Sequence, residues 1–356
     1  MGQEIQIPEA WQQVADQITQ EPGIVVLIGA SDTGKTTLGR FLIGAWHRKG
    51  IPVALVDGDI GQSTIGPPAS VGLAFFPPSA SLPPLALRFV GATSPHGHFL
   101  PLLVGLKKLV DRAREVQAEI VLVDTTGLVH GPAGRALKFQ KIDLLTPRHL
   151  LALQKKDELE ALLAPHEKRT GLKIHRLPVP QEALDKSRER RRAYREQKFQ
   201  EYFQGSRHLK LSLKEVKLQG TWLKGGRKLK ANELNFLAKA LGAVVLYGER
   251  GLEGLDLLVS GGITTFELSN IKTALGVPEV RITQIEDLQG LLLGFNDRDN
   301  DTLALGILQG LDLSRETLLC LTPLSDPKAV KLIQFGSLRI DPLGRELGTL
   351  PRQESL

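Results

Sequence analysis

The sequence predicts an α/β fold: a doubly wound, mainly parallel sheet of the P-loop NTPase type over residues 1–204, then a smaller, mainly β domain over 205–356. Three observations predict it. From residue 10 to about 180, continuous apolar runs alternate with helical stretches, as strands buried on both faces by crossover helices do. The first apolar run ends in a glycine-rich loop that opens a helix. Beyond residue 204, glycines divide the chain into short apolar segments that read as strands and turns. A length of 356 residues also exceeds what one core usually organises.

In order, "GIVVLIG" is the first strand, and the helix "TTLGRFLIGAWHRKG" after it stops at Gly50. "IPVALVDGD" and "LALRFVGAT" are strands, and "LPLLVGLKKLVDRAREV" is an amphipathic helix. The strand "EIVLVDTTG" precedes a helix at about 132–142, the strand "HLLALQ" and the helix "KDELEALLAPHEKR". "KIHRLPVP" closes the series, and "LDKSRERRRAYREQKFQEYF" at 184–203 is a long basic helix. In the second domain "LLVSGG", "GLLLGFNDRDNDTLALGILQGLDL", "TLLCLTPL" and "KLIQFGSLRIDP" read as short strands and turns, with one helix at 232–241.

Composition narrows the class. Hydrophobic residues at 42% and charged residues at 24% describe a soluble globular protein. The single cysteine, Cys320, excludes an internal disulfide and suits a reducing compartment. No stretch of 18 apolar residues and no N-terminal apolar core is present, so a cytoplasmic location is expected. The net charge of +6 is uneven: residues 186–230 hold 15 Lys and Arg against 4 Asp and Glu, whereas 231–356 hold 11 against 17. A basic belt of this kind meets polyanions such as nucleic acid, or is simply a solvated face.

"GASDTGKTT" at 29–37 fits G-x-x-x-x-G-K-S/T in its required setting, a strand before and a helix after. Gly29 and Gly34 let the backbone wrap phosphates. The amides of Ser31, Asp32, Thr33 and Thr37, with the helix N-terminus, direct partial positive charge at them. Lys35 reaches the β and γ phosphates, and the Thr36 hydroxyl binds Mg²⁺. Two further strand ends bring Asp57, Asp59 and Asp124 to the same edge, where α/β sheets bind ligands. Asp57 and Asp59 face the same side if the strand runs that far. The three acids include a metal ligand and a proton acceptor, since close carboxylates can divide those roles.

A docked nucleotide leaves the reaction open. "DTTG" with "QKKD" at 154–157 suggests a regulatory GTPase or ATPase, although Gln154 stands where a guanine-reading Asn would be. A nucleic-acid-binding scaffold that keeps ATP structurally is a third class. The kinase class is carried by longer motifs in order: "VDGDIGQSTIGPPASVGL", "FVGATSPHGHFLPLLVG", "VDTTGLVHGPAGRALKFQKIDLLTPRHLLALQ" and "RERRRAYREQKFQEYF". Together they resemble the phosphate-loop polynucleotide 5′-hydroxyl kinase family, which includes the kinase subunit of the pre-mRNA cleavage machinery and kinases of ribosomal RNA processing.

The resemblance covers about 23–203. It implies transfer of the γ-phosphate of ATP, with Mg²⁺, to a nucleic acid with a 5′-hydroxyl end, RNA or DNA. It places Asp59 and Gln62 in a D-x-D-x-G-Q element, where Asp59 activates the acceptor hydroxyl and touches the metal shell. It places Thr93, Ser94 and Pro95 in a clasp over the nucleotide, and Thr126 in the loop where relatives carry T-C-G-W; here Leu128 follows Gly127. The basic helix corresponds to a lid whose arginines close over the triphosphate. Arg188, Arg192 and Arg195 share one helical face at i, i+4 and i+7, with Arg192 and Arg195 expected to act on the transition state.

Overall fold

The computed structural model describes residues 7–77, 86–180, 186–263 and 268–350. The chain forms two compact units, residues 1–202 and 203–355. In the first, the elements run α1 (Glu9–Gln20), β1 (Ile24–Gly29), α2 (Lys35–Arg48), β2 (Val53–Gly58), β3 (Ser70–Phe76), β4 (Ala86–Phe89) and α3 (Phe99–Glu115). Next come β5 (Ile120–Thr125), α4 (Gly131–Leu145), β6 (His149–Gln154), α5 (Glu160–Leu163), β7 (Lys173–Pro178) and α6 (Arg188–Phe203). The seven strands lie in the order β4-β3-β2-β5-β1-β6-β7.

The sheet is parallel from β2 to β7, and β3 and β4 add an antiparallel edge. All six residues of β1 are buried, because alternate side chains enter opposite cores. Val25 and Leu27 pack with Trp11, Leu38, Leu42 and Trp46 beneath α1 and α2. Val26 and Ile28 pack with Leu102, Leu106 and Leu137 beneath α3 and α4. Each such side chain contributes about 1.5–3 kcal/mol by leaving water.

Glycine and proline set the element ends. Gly34, at φ +87°, turns the phosphate loop into α2. Gly50, at φ +73°, closes that helix, its N–H donating to the His47 carbonyl at 3.0 Å. The helix expected from "KDELEALLAPHEKR" is reduced to α5 and a 3₁₀ turn at Ala164–His166, since Pro165 cannot continue an α ladder. Three features escaped the sequence reading: α1, which begins directly after Pro8, the strand β3, and the antiparallel pairing of the "LALRFVGAT" strand with it. The basic helix is observed from Arg188; residues 184 and 185 lie outside the described residues.

The second unit contains β8 (Arg207–Ser212), β9 (Lys217–Gln219), β10 (Arg227–Lys228), α7 (Ala231–Leu241), β11 (Val244–Arg250), β12 (Leu255–Ser260) and α8 (Leu268–Leu275). It ends with β13 (Val280–Gln284), α9 (Ile285–Leu288), β14 (Leu291–Asn296), β15 (Thr302–Asp312), β16 (Thr317–Thr322), β17 (Leu332–Ile340) and β18 (Glu346–Thr349). The larger sheet runs β18-β17-β14-β15-β16-β8, with β9 alongside β17. Its core joins Leu293, Phe295, Leu308, Leu318 and Cys320. A smaller sheet, β10-β11-β12-β13, packs on α7 and α8. Helix α8, which the sequence reading did not separate, carries the chain between the parallel strands β12 and β13. Burial pushes the Cys320 thiol up to about 12, so it behaves as a core apolar residue.

Candidate active site

The site gathers at the carboxyl ends of β1, β2 and β5, neighbours in the sheet. Gly29 must be glycine: a Cβ would stand 2.6 Å from Thr33 Oγ1 and 2.9 Å from the Leu153 carbonyl oxygen. Thr33 is buried and donates its hydroxyl to the Ala30 carbonyl at 3.0 Å, which tightens the loop. Asp32 takes a left-handed backbone, φ +60°. The loop therefore curls its amides inward onto the start of α2, the arrangement that cradles phosphate oxygens.

Lys35 is only 6% exposed, and its ammonium donates to the Ala30 carbonyl at 2.6 Å. Burial lowers its pKa, while the charges of Asp124, Asp59 and Asp32 oppose the shift. Thr36 donates its hydroxyl to Asp124 Oδ2 at 2.8 Å, and Asp124 Oδ1 accepts the Thr125 N–H at 2.8 Å. Burial raises the Asp124 pKa against the pull of Lys35. A hydroxyl and a carboxylate in contact beside a phosphate cradle could hold a divalent cation, with phosphate and water completing the shell.

The two acids of the β2 end differ. Asp57 is the last buried acid of the strand and is saturated: Oδ1 accepts the Asp59 N–H at 3.0 Å. Its Oδ2 accepts the Thr64 N–H, the Thr64 hydroxyl and the Ile65 N–H at 2.5, 2.9 and 3.1 Å. The expectation that Asp57 is a metal ligand is corrected here, because its oxygens organise the following loop. Nor do Asp57 and Asp59 share a strand face, since β2 ends at Gly58. Asp59 is half-buried: Oδ1 accepts the N–H groups of Gly61 and Gln62 at 3.1 and 3.0 Å. Its Oδ2 has no hydrogen bond among the described residues, which leaves one oxygen for a substrate proton.

The clasp residues stand beside this loop: a Cβ on Gly61 would meet the Thr93 carbonyl oxygen at 2.8 Å. Ser94 is exposed. His98 is buried at the entrance to α3, hydrogen-bonded through Nδ1 to the His96 carbonyl at 3.0 Å, a positioning contact. Gln62 Oε1 accepts from Lys186 Nζ at 3.4 Å. Thr126 is buried, and its Oγ1 has no partner among the described residues. A cavity of about 430 Å³ opens beside Thr36 and Asp124, walled by Arg40, Ile43, His47, Leu55, Ile65 and Phe76.

The lid helix presents a different face from the expected one. Arg191 donates to Asp32 Oδ2 at 3.2 Å, and the Lys186 N–H donates to the same oxygen at 3.1 Å. Tyr194 donates its hydroxyl to the Ser63 carbonyl at 2.9 Å, and Phe199 is fully buried. The inward face thus carries Arg191, Tyr194 and the half-buried Arg195, whereas Arg188 and Arg192 are exposed. Arg192 pairs with Glu196 along the helix at 2.9 Å. Arg195 keeps its inward place, Arg192 does not, and Arg191 replaces it because the aromatic residues choose the buried side.

Gln154 also departs from a base-reading role. Its amide nitrogen donates to Glu160 Oε1 at 2.6 Å and its oxygen accepts the Leu159 N–H at 3.2 Å. Both ends of the side chain are used within its own loop, and Asp157 is exposed.

A family model described as the mRNA cleavage and polyadenylation factor CLP1 P-loop matches residues 29–205. A polyribonucleotide 5′-hydroxyl-kinase of Methanocaldococcus jannaschii is 35% identical over 340 residues, covering 94% of this chain and 91% of that protein. A protein of the same description from Pyrococcus furiosus is 32% identical, covering 94% and 92%. The polyribonucleotide 5′-hydroxyl-kinase Clp1 of Xenopus tropicalis is 31% identical over 200 residues, 51% of this chain and 44% of that one. Among solved structures, the wild-type Clp1p–Pcf11p complex shares the fold at a TM-score of 0.61 and 12% identity, covering 95% of this chain and 80% of that chain.

Proposed function

Because the chain belongs to the mRNA cleavage and polyadenylation factor CLP1 P-loop family, we propose that it transfers the γ-phosphoryl group of ATP, with Mg²⁺, to the 5′-hydroxyl of a polynucleotide strand. The observation that carries the reaction is Asp59. Two backbone amides fix one of its oxygens and the other is left free, on a loop that neighbours the phosphate cradle. Phosphoryl transfer asks the protein mainly for position and charge. Asp59 Oδ2 accepts the proton of the attacking hydroxyl. Lys35 leaves the Ala30 carbonyl for the phosphate oxygens. Arg191 exchanges Asp32 for the same developing charge, with Arg195 one turn further along the face. Thr36 and Asp124 would hold Mg²⁺, which when bound would neutralise charge on the transferring phosphoryl group. RNA is favoured as the acceptor by the descriptions of the relatives.

The test pairs γ-labelled ATP with a 5′-hydroxyl oligonucleotide and with its 5′-phosphorylated twin. Label on the first alone is the expected result. Phosphate release with label on neither strand would replace the kinase by a hydrolase. That second reading has little support from the site, since Gln154 spends its amide inside its own loop.

A further inference from the structure

We propose that Lys138 is a positioning residue for phosphoryl transfer: its buried amino group clamps the loop after β5 and thereby holds Asp124 in register with the phosphate loop. The inference rests on the kinase reading and concerns a residue two turns into α4, to which the sequence reading gave no role. The Lys138 side chain is wholly buried. It leans toward the start of its helix, as helical side chains do, and so reaches the end of β5. Its Nζ donates to Thr125 Oγ1 at 2.6 Å and to the Thr126 carbonyl at 2.5 Å.

Those two acceptors link three parts of the site. Thr125 Oγ1 passes the bond on to the Leu27 carbonyl of β1 at 2.7 Å, two residues before the phosphate loop begins. The Thr125 N–H fixes Asp124 Oδ1, and Thr36 holds Asp124 Oδ2. Gly127 lies directly against the phosphate loop, because a Cβ there would stand 2.5 Å from the Ser31 nitrogen. A shift of the Thr125–Gly127 backbone would therefore move the cation-binding carboxylate and the cradle together.

A buried amino group is an expensive filler of space, and a methionine of similar length would pack without desolvating a polar group. Lys141 supplies the internal comparison. It stands one turn further along the same buried face, 1% exposed, and its Nζ has no hydrogen-bond partner among the described residues. Burial pushes its pKa down to about 8, and for Lys138 burial together with the Lys141 charge pushes in the same direction. The two lysines thus share burial and helix, and differ in the clamp.

The experiment compares Lys138→Met and Lys141→Met in the full chain. Lys138→Met should fold, with a thermal midpoint lowered by the loss of the donor to the buried Thr126 carbonyl. Its kcat should fall by about 10²-fold, the effect of displacing a reacting group by about 1 Å. KM for the oligonucleotide should stay within about threefold, because the acceptor contacts are untouched. The Mg²⁺ concentration needed for half-maximal binding of a fluorescent ATP analogue should rise, a readout independent of turnover. Lys141→Met should keep kcat and the Mg²⁺ requirement. The proposal is overturned if Lys138→Met leaves both quantities unchanged per folded molecule, or if Lys141→Met changes them as much. Should Lys138→Met not fold, Lys138→Leu, which also removes the donor, is judged by the same measurements. A parent protein that transfers no phosphate would overturn the kinase reading, while Mg²⁺-dependent nucleotide binding would still decide the clamp.

Discussion

Asp57 and Asp59 stand two residues apart, yet only Asp59 has an oxygen free of the protein's own donors. Asp59→Asn keeps the size and removes the base, so ATP should still bind while transfer falls by about 10²–10⁴-fold. A folded variant with near-normal turnover would remove Asp59 from the proton path. Asp57→Asn places an NH₂ group among backbone donors, which leaves at least one of them unmet. The expected loss is about 1–3 kcal/mol of stability, read in denaturant titrations. If activity per folded molecule instead fell more than for Asp59→Asn, the two roles would have to be exchanged. On the lid, Arg191→Ala should lower kcat more than it raises the acceptor KM. Arg192→Ala removes the pair with Glu196, worth about 0.3–0.5 kcal/mol, and should lower kcat less. Equal kinetics for the two variants would contradict the inward face found here.

At the scale of elements, the lid helix shows what pattern reading could and could not recover. Its arginines are so numerous that i, i+4 spacing finds a face on any side. The aromatic residues Tyr194 and Phe199 carried the missing signal, since the buried side of a helix follows its apolar residues. Strands β6 and β7 carry a different device. His149 Nε2–H donates to the Glu21 carbonyl at 2.8 Å, and in the neutral pair His149 Nδ1 accepts from His175 Nε2–H at 3.1 Å. Burial, with His149 and Lys173 nearby, lowers His175 to about 4, and burial also lowers His149. A lowered folded-state pKa stabilises above the ordinary histidine value of 6.5, and that contribution is lost as pH falls toward 4. Thermal midpoints should therefore drop over this window, and His175→Gln should flatten the drop. An equal slope in the variant would assign the acid sensitivity elsewhere.

For the whole molecule, the charge asymmetry is spread over structure in a way that spacing did not show. Lys210 lies on the edge strand β8, Lys214 follows that strand, and Lys217 lies on β9, which pairs with β17. Lys210 and Lys217 thus occupy separate strands, and all three lysines are exposed. If each contacts the acceptor backbone, each single Lys→Ala change should raise KM and reduce the slope of log KM against log salt by about 0.7, the single-strand value. Unchanged slopes for all three would make the belt a solvated surface. Expected and observed architecture agree on the doubly wound sheet, because long apolar runs between helices can be satisfied only by strands covered on both faces. They differ at the β3–β4 edge, where strand direction depends on long-range pairing.

The sequence by itself determined the phosphate loop, the strand ends that carry the acids, and the alternation that forces the sheet. These are local: a glycine conformation, a side-chain period and a helix N-terminus need only neighbouring residues to be recognised. Tertiary structure decided which acid is saturated and which is free, which lid arginine faces the loop, and that Lys138 reaches the end of β5. Each of those depends on donors and walls brought from distant segments, so a carboxylate's partners and a buried lysine's reach exist only once the chain has closed around them.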